Sequence, residues 1–190
     1  MKDSNFTPDD FTAYKYIELA DIDNSGGISG CTEALGNELP SRARRIVDAG
    51  DVLISSIEGS LSSCAIVPGI MGTAALCSTG FYAINSDKIN SETLLVLFKS
   101  PLLQNLLKQG CSGTILTAIN KTEFQNIPVP IIEGGEQTKI AALVKESFSL
   151  KAESERLLDV AKRAVEIAIE QDENAALDWL FRMAPDESIQ

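Results

Sequence analysis

The chain contains no histidine among its 190 residues, and this absence excludes several kinds of chemistry. Serine or cysteine nucleophiles paired with histidine, histidine acid or base catalysis and most catalytic zinc sites all require an imidazole. The cysteines form no CxxC pair, so the sequence indicates neither a zinc knuckle nor a disulfide framework. The four cysteines are Cys31, Cys64, Cys77 and Cys111.

Motifs of nucleotide and metal chemistry are also missing. The sequence has no GxxxxGK[ST] phosphate loop and no GxGxxG motif, which argues against nucleotide hydrolysis. Residues 126–130 lack the adjacent prolines and the aromatic residue of an adenine methyltransferase motif. Asp21 and Asp23 have no Glu-x-Lys partner for a Mg²⁺ nuclease site, so we interpret them as turn formers. We therefore predict no catalytic residue, no metal and no cofactor.

Long apolar runs are absent as well. The most apolar stretch, residues 65–77, contains Pro68 and Gly72 and is shorter than the about 20 apolar residues that a membrane-spanning helix needs. The N-terminus lacks the basic start and apolar stretch of a secretory signal. We expect a cytoplasmic protein with no membrane partner.

Positive charge is scarce. The chain has 27 acidic and 16 basic residues, and its net charge is −11. Because DNA affinity rests largely on Lys and Arg residues that neutralise phosphates, this balance argues against a tight DNA binder that acts alone. The one dense basic cluster lies in residues 41–45, which we expect to form an exposed loop.

Residues 1–132 have the pattern of one α/β or α+β domain. Turn formers separate its strand candidates, which are residues 14–21, 46–57 with a hairpin or bend at 48–51, 65–67, 81–84, 114–119 and 127–132. Ser91 and Glu92 open one short helix, and Ser100 with Pro101 opens a second that ends near Gly110. We expect the large apolar residues of both helices to cover a sheet: Leu94, Leu95, Leu97, Phe98, Leu102, Leu103, Leu106 and Leu107.

Residues 133–190 are rich in Glu, Lys, Leu and Ala, and they lack proline until Pro185. This composition predicts one long helix for spacing or dimerisation. If unbroken from residue 136 to 181, it would extend about 69 Å, further than a domain of this size covers. A heptad pattern rich in small residues indicates a partner helix, although part of the helix could instead fold back on its own domain. The pattern consists of Leu143, Ser147, Leu150, Ser154, Leu157, Ala161, Ala164 and Ala168.

Several segments together resemble the DNA specificity subunit of type I restriction-modification systems. Their order and spacing carry the resemblance; they are residues 16–23, 41–55, 78–81, 113–121 and 127–130, the last leading into 136–140. The resemblance implies an irregular, twisted-sheet target-recognition domain with short helices, followed by one long C-terminal coiled-coil helix. A complete subunit of this family has two such domain-helix units and this chain has one, so it resembles a half-subunit.

The same resemblance implies partners. These are double-stranded DNA, the type I methyltransferase (modification) subunits and the restriction subunit, with the methyltransferase supplying much of the positive charge. Two copies would pair through the long helix with two-fold symmetry and read two half-sites around an unread spacer. The alternatives are a natural or artificial fragment of a longer subunit, a domain detached from a fused methyltransferase, or an acidic regulatory protein that binds a partner through its helix without DNA.

Base readout favours Arg at guanine and Asn or Gln at adenine, with Lys at phosphates. The candidate nucleic-acid-binding residues are Arg42, Arg44, Arg45, Lys15, Ser78, Thr79, Asn120 and Lys121. They also have structural interpretations: solvated charge for the arginines, a turn at Ser78 and Thr79, and a helix cap at Asn120. The candidate dimer residues of the helix are Leu143, Leu150, Leu157, Ala161, Ala164 and Ala168.

Overall fold

A computed structural model describes residues 1–2, 5–71 and 74–183 of the chain. Its contacts divide the chain into two units, Met1–Val144 and Lys145–Gln190, which we call the N-terminal unit and the C-terminal unit. The last seven residues of the predicted helical region, with Pro185, lie outside the described residues. The predicted class is confirmed, because twisted sheets and short helices precede a long C-terminal helix.

The N-terminal unit contains two main sheets. Its strands are β1 Ala13–Ile17, β2 Thr32–Leu35, β3 Ala43–Ile46, β4 Val52–Ser55, β5 Cys64–Ile66, β6 Ala75–Ser78, β7 Phe81–Ile84, β8 Cys111–Ser112 and β9 Ala118–Ile119. One sheet has the order β2-β1-β6-β3 and the other the order β5-β4-β7, while β8 and β9 form a small pair. The pairing of β1 with β6 is parallel, whereas the other pairings are antiparallel.

The core lies between the two main sheets. Ile17 and Cys77 from the four-stranded sheet belong to one buried cluster with Leu53, Phe81 and Ala83 from the three-stranded sheet. The opposite face of the four-stranded sheet is also covered. Tyr14, Tyr16, Ala43 and Leu76 are buried there, with Phe6, Leu39 and Ala74 packed against them. Burial on both faces explains why alternate residues of β1 and β6 show no simple polar and apolar alternation.

Asp51 is a buried polar centre that attaches the N-terminus to this core. Its carboxylate, 1% exposed, accepts hydrogen bonds from Lys2 Nζ at 2.6 Å, from the backbone N of Asp48 at 2.8 Å and from Asn85 Nδ2 at 2.9 Å. Burial disfavours the charged ammonium of Lys2, but its bonds to Asp48 and Asp51 raise the pKa of Lys2 overall. The backbone N of Lys2 also donates to the carbonyl of Ala83 at 2.7 Å.

Two short helices pack at the three-stranded sheet: the first covers β4 and β5 as predicted, and the second packs against the first. Helix α1 is Ser91–Lys99, with Asn90 rather than Ser91 as its N-cap, and α2 is Pro101–Gln109, with Ser100 as its N-cap. Five of the eight apolar residues that were predicted to cover a sheet are buried: Leu94, Leu95, Phe98, Leu103 and Leu107. The expectation is wrong for Leu102, which is 66% exposed because it lies in the first turn of α2, on its outer face.

Several strand predictions are wrong. Of the two alternatives for residues 48–51, the hairpin is excluded, since β3 pairs with β6 whereas β4 pairs with β5 and β7, and the bend is confirmed, since the chain turns between the sheets where Gly50 has φ of 86°. Residues 41–45 are an exposed turn only as far as Arg42, because β3 begins at the fully buried Ala43. Residues 127–132 form no strand, and of residues 114–119 only Ala118–Ile119 do.

The long helix α4 runs over Gly134–Glu170, and α5 follows at Glu173–Met183. The prediction of one helix as far as residue 181 is therefore wrong. Asp172 ends the continuity, because its side chain accepts a hydrogen bond from the backbone N of Ala175 at 2.8 Å and caps a new helix. Within the C-terminal unit α5 folds back on α4, since Leu157 and Val160 line one apolar groove with Leu180 and Phe181.

The first turns of α4 belong to the N-terminal unit. Gln137 and Ala141 are each 8% exposed, and Ile140 and Val144 are half-buried on the same helix face. The contacts therefore divide the chain after Val144, whereas the sequence places the boundary after Ile132. The two boundaries differ because the sequence pattern shows where α4 begins, whereas the contacts show where α4 stops packing on the N-terminal unit.

Candidate nucleic-acid interface

Arg42, Ser78 and Thr79 meet where β6 pairs with β3, the edge strand of the four-stranded sheet. The backbone N of Thr79 donates to the carbonyl of Arg42 at 2.9 Å, next to the register pair Ala43 and Ser78. Ser78 is only 5% exposed, and its Oγ accepts from the backbone N of Gly80 at 3.2 Å. Ser78 thus shapes the turn, while Arg42 is exposed and Thr79 half-buried.

The same line of main-chain bonds continues to a second pair of candidates. Ser56 donates through its backbone N, at 2.8 Å, and through its Oγ, at 2.9 Å, to the carbonyl of Gly80. The carbonyl of Ser56 accepts from the backbone N of Ile119 at 2.9 Å, and Asn120 and Lys121 follow directly. We call the continuous row of Arg42, Thr79, Gly80, Ser56 and Asn120 the polar edge.

Asn120 and Lys121 are exposed at the start of helix α3, Lys121–Gln125. The Oδ1 of Asn120 accepts from the backbone N of Glu123 at 3.0 Å, so Asn120 is the N-cap that the structural interpretation predicts. The helix that Asn120 caps is held on the N-terminal unit, because its buried residue Phe124 stacks on Tyr82 with ring centroids 4.3 Å apart. The Tyr82 hydroxyl donates to the carbonyl of Ile119 at 3.0 Å.

The three clustered arginines point in different directions. Arg44 lines a half-polar cleft of about 380 Å³, and its Nε donates to the carbonyl of Ser41 at 3.0 Å. Arg45 is instead tied into the unit: its guanidinium donates to the carbonyl of Phe81 and stands 5.1 Å from the ring centroid of Tyr82. Of the cluster, Arg42 is therefore the member exposed on the polar edge, and Arg44 faces the cleft beside it.

Sequence reasoning missed two features near the polar edge. Asn37 lines the cleft together with Ser41 and Arg44, and only its place in a Gly-Asn turn could have suggested it. The loop between β8 and β9 was interpreted as a strand, but Ile115 is fully exposed at its tip and Leu116 is 65% exposed. Such apolar side chains are suited to contacts with a thymine methyl group.

Lys15 lies apart from this row. In the parallel pairing it stands opposite Ala75, at the start of β6, whereas Ser78 ends that strand. Its Nζ lies 3.6 Å from Glu33 Oε1 on β2. The structure therefore brings together Arg42, Ser78, Thr79, Asn120 and Lys121, and it does not bring Lys15 to them.

The seam of α4 divides into two parts. Leu143, Leu150 and Leu157 are 67%, 63% and 46% exposed, and Ala161 is exposed with them. Ala164 is only 6% exposed and Ala168 is half-buried, on the stretch where α5 returns along α4. Leu143 and Leu150 thus lie open to a partner helix, whereas Leu157 and Ala161 line the groove with α5 and the last two alanines also have a neighbour within the chain.

The described residues offer little for metal or thiol chemistry. No group of three or more Cys, Asp or Glu side chains among them could hold a metal ion. Asp23 serves as a turn former, because its Oδ1 accepts from the backbone N of Ser25, Gly26 and Gly27. Burial raises the pKa of the Cys64 and Cys77 thiols to about 12, so both stay protonated near neutral pH. In the same described part, no helix is long and apolar enough to span a membrane.

Comparisons with known proteins place the chain in a family. The model described as "Type I restriction modification DNA specificity domain" matches residues 3–158. The chain is similar to the HsdS subunit from Thermoanaerobacter tengcongensis, with 29% identity and a TM-score of 0.64 over 84% of this chain and 41% of that chain. No curated protein matches it.

The chain is also similar to a second solved chain, from a study of complex assembly and conformational transition in the type I R-M system. The two are 26% identical, with a TM-score of 0.67. The match covers 100% of this chain and 48% of that chain. This chain therefore spans less than half the length of the two solved chains. Because the family model matches most of the sequence, from residue 3 into the long helix, the chain belongs to the type I restriction-modification DNA specificity domain family.

Proposed function

We propose that the chain is a non-catalytic specificity subunit that binds double-stranded DNA and directs type I methyltransferase subunits, and with them the restriction subunit, to a bipartite target. The observation that carries this proposal is the polar edge in a domain of the specificity family: main-chain hydrogen bonds hold Arg42, Thr79 and Asn120 in one row. Arginine and asparagine are the side chains that read guanine and adenine in the major groove.

The charge of the chain explains why methyltransferase subunits belong to the proposal. With a net charge of −11, the chain alone would neutralise few phosphates. The polar edge supplies Arg42, and Lys121 follows it directly after Asn120, but Glu58 and Glu123 lie in the adjoining segments, since the backbone N of Glu58 donates to the carbonyl of Thr117 and Glu123 is in α3. Affinity for the DNA backbone would then come from the partner subunits, and the polar edge would add base contacts.

The exposed leucines of α4 support a dimer. Leu143, Leu150 and Leu157 recur every seven residues, which is the spacing of a helix pair. Since the chain has the length of less than half a solved relative, two copies that pair through α4 would match one two-domain subunit. A two-fold dimer reads two identical half-sites, so the proposed target is a split palindrome.

The experiment is a methylation assay on a randomised duplex library. The chain is co-expressed with a type I adenine methyltransferase subunit, and the control omits the chain. A split, symmetric methylated motif that depends on the chain supports specificity, dimer and half-site geometry together. No motif that depends on the chain would refute the DNA proposal.

Arg42→Ala tests the polar edge within the same assay. We expect it to relax or weaken the choice of one base in each half-site by about tenfold, the value of one good base contact. Lys88→Ala is the matched control, because Lys88 is an exposed cation beyond Ile84, at the other end of β7 from Gly80. Equal motifs from both variants would remove Arg42 from the interface.

A second candidate is an acidic protein-interaction module without DNA binding. The net charge of −11 and the exposed leucines of α4 favour it. It predicts that the chain binds the methyltransferase subunit but leaves the methylated sequences unchanged. The library assay distinguishes the two functions when binding of the methyltransferase is measured in parallel by co-purification.

A further inference from the structure

Gln137, in the first turn of α4, is a fully satisfied buried side chain. Its side-chain oxygen accepts from the backbone N of Asn90 at 2.9 Å. Its side-chain amide donates to the carbonyl of Lys88 at 2.9 Å and to that of Ile132 at 2.7 Å. The residue is 8% exposed. The amide oxygen and both amide hydrogens of Gln137 are thus used. Removing this side chain would leave its three main-chain partners without these hydrogen bonds.

The contact between Asn90 and Gln137 is reciprocal. The Nδ2 of Asn90 donates to the backbone carbonyl of Gln137 at 3.1 Å. At the same time Asn90 Oδ1 accepts from the backbone N of Thr93 at 2.8 Å and caps α1. One asparagine therefore connects the start of α1 with the start of α4, two helices that lie far apart in the sequence.

The residues just before Gln137 do not anchor the helix by packing. A Cβ placed on Gly134 or Gly135, the first two residues of α4, would meet nothing within 4 Å. Packing begins with Gln137 and continues at Ala141, one turn later on the same face. Since glycine also leaves the backbone conformationally free, the first turn could swing if the Gln137 contact were lost.

We propose that Gln137, held by Asn90, is a positioning residue that fixes the direction in which α4 leaves the N-terminal unit and so restricts the spacer length between the two half-sites. This rests on the proposed DNA function and adds how its geometry is set. A helix that spaces two DNA contacts selects one separation only if its start is rigid. A loosened start admits neighbouring separations, while the bases read in each half-site stay the same.

Two variants and one control test this role. Gln137→Ala removes the three side-chain bonds and keeps a strong helix former. Asn90→Asp keeps a capping oxygen for α1 but loses the amide that donates to Gln137. Gln104→Ala is the control, because Gln104 Nε2 also donates to two carbonyls, those of Leu61 and Phe98, which both lie outside α4.

The first measurement is the distribution of spacer lengths among methylated sites in a library with randomised half-sites and variable spacers. We expect one length with the wild type and with Gln104→Ala. With Gln137→Ala, sites one base pair longer or shorter should become about tenfold more frequent, a shift that corresponds to the loss of one or two hydrogen bonds. Asn90→Asp should give a smaller change in the same direction, with unaltered half-site bases.

The second measurement is amide hydrogen exchange of the chain alone. Amides 137–141 should exchange about tenfold faster in Gln137→Ala than in Gln104→Ala, while those of β4 stay equal, since local opening follows the local loss of contacts. Unchanged spacer lengths and exchange rates would overturn the inference. If the wild type yields no motif, the proposed function fails and the spacer role fails with it, whereas the exchange rates still decide whether Gln137 holds the start of α4.

Discussion

The two units of the chain are stabilised by different interactions. In the N-terminal unit, buried polar groups connect residues far apart in sequence, as Asp51 does with Lys2 and Gln137 does with Asn90. In the C-terminal unit, ion pairs join residues within two turns of an exposed helix, as Arg156 and Glu153 do at 2.7 Å and Arg163 and Glu170 do at 3.8 Å. Such exposed pairs contribute at most about 1 kcal/mol each.

The two units also differ in how far their large apolar side chains are exposed. The large side chains of the N-terminal core, such as Phe81 and Leu53, are fully buried, whereas Leu150 and Phe181 of the C-terminal unit are 63% and 79% exposed. An exposed row of large apolar residues marks a surface that binds another protein. The N-terminal unit thus buries large apolar residues in a core of its own, and the exposed apolar residues of the C-terminal unit are where the proposed partner helix would pack.

Replacing Leu150 and Leu157 together with Lys should abolish self-association, because two charges would enter the apolar seam. Sedimentation equilibrium should give the mass of a monomer, and circular dichroism should show a folded chain. Leu158→Lys is the matched control: Leu158 is 56% exposed on the same helix but lies outside the heptad positions. An unchanged mass for the double variant would contradict the helix dimer.

Asp51→Ala should strongly destabilise the N-terminal unit. The change leaves the backbone N of Asp48 and the side chains of Lys2 and Asn85 without their buried acceptor. We expect a loss of about 3 kcal/mol in the free energy of unfolding, measured by urea titration. Glu153→Ala, at an exposed ion pair, should lower the free energy of unfolding far less. Similar losses for both variants would refute the contrast between the units.

Arg45→Ala and Arg42→Ala separate stability from recognition. Arg45 donates to the carbonyl of Phe81 and lies over the Tyr82 ring, so its loss should cost about 1–2 kcal/mol of unfolding free energy. Arg42 is exposed, and its removal should change stability by less than about 0.5 kcal/mol. Thermal unfolding of the two variants in the same buffer measures both losses. A larger loss for Arg42→Ala than for Arg45→Ala would contradict the structural role of Arg45.

Asn120→Ala should cost about 1 kcal/mol, because α3 loses the side chain that caps its first turn. Asn120→Asp keeps a capping oxygen and should leave the stability nearly unchanged. If Asn120 also faces DNA, the added carboxylate should still weaken binding of the assembled complex, measured by fluorescence anisotropy. Wild-type binding by Asn120→Asp would limit Asn120 to its structural role.

Local signals in the sequence were sufficient to predict where the short helices begin. Ser100 with Pro101 opens α2, and Asn120 caps α3, because capping depends on a few adjacent residues. The break at Asp172 was missed, since Glu, Ala and Leu continue on both sides and only the cap bond at Ala175 reveals it. β6 was missed because Pro68, Gly69 and Gly72 interrupt the apolar run that leads to it.

The candidate interface was predictable in composition but not in arrangement. Residue type selected Arg42, Thr79 and Asn120, yet their alignment depends on long-range bonds through Gly80 and Ser56 that no sequence pattern encodes. The same limit explains why Arg44 and Arg45, adjacent in β3, occupy different environments. Neighbouring side chains of a strand point to opposite faces of the sheet. Because Arg44 and Arg45 lie in a paired strand and not in a loop, they do not form one basic surface.

The parallel pairing of β1 with β6 ties folding of the N-terminal unit to the order of synthesis. β1 lies inside the four-stranded sheet, with Tyr16 opposite Leu76, yet β2 to β5 leave the ribosome before β6 does. Contacts between distant segments form slowly, because the intervening chain must first be ordered. A nascent chain that stops before β6 therefore leaves β1 paired on one side only, by β2, and chaperones would find a binding site at the open apolar edge of β1.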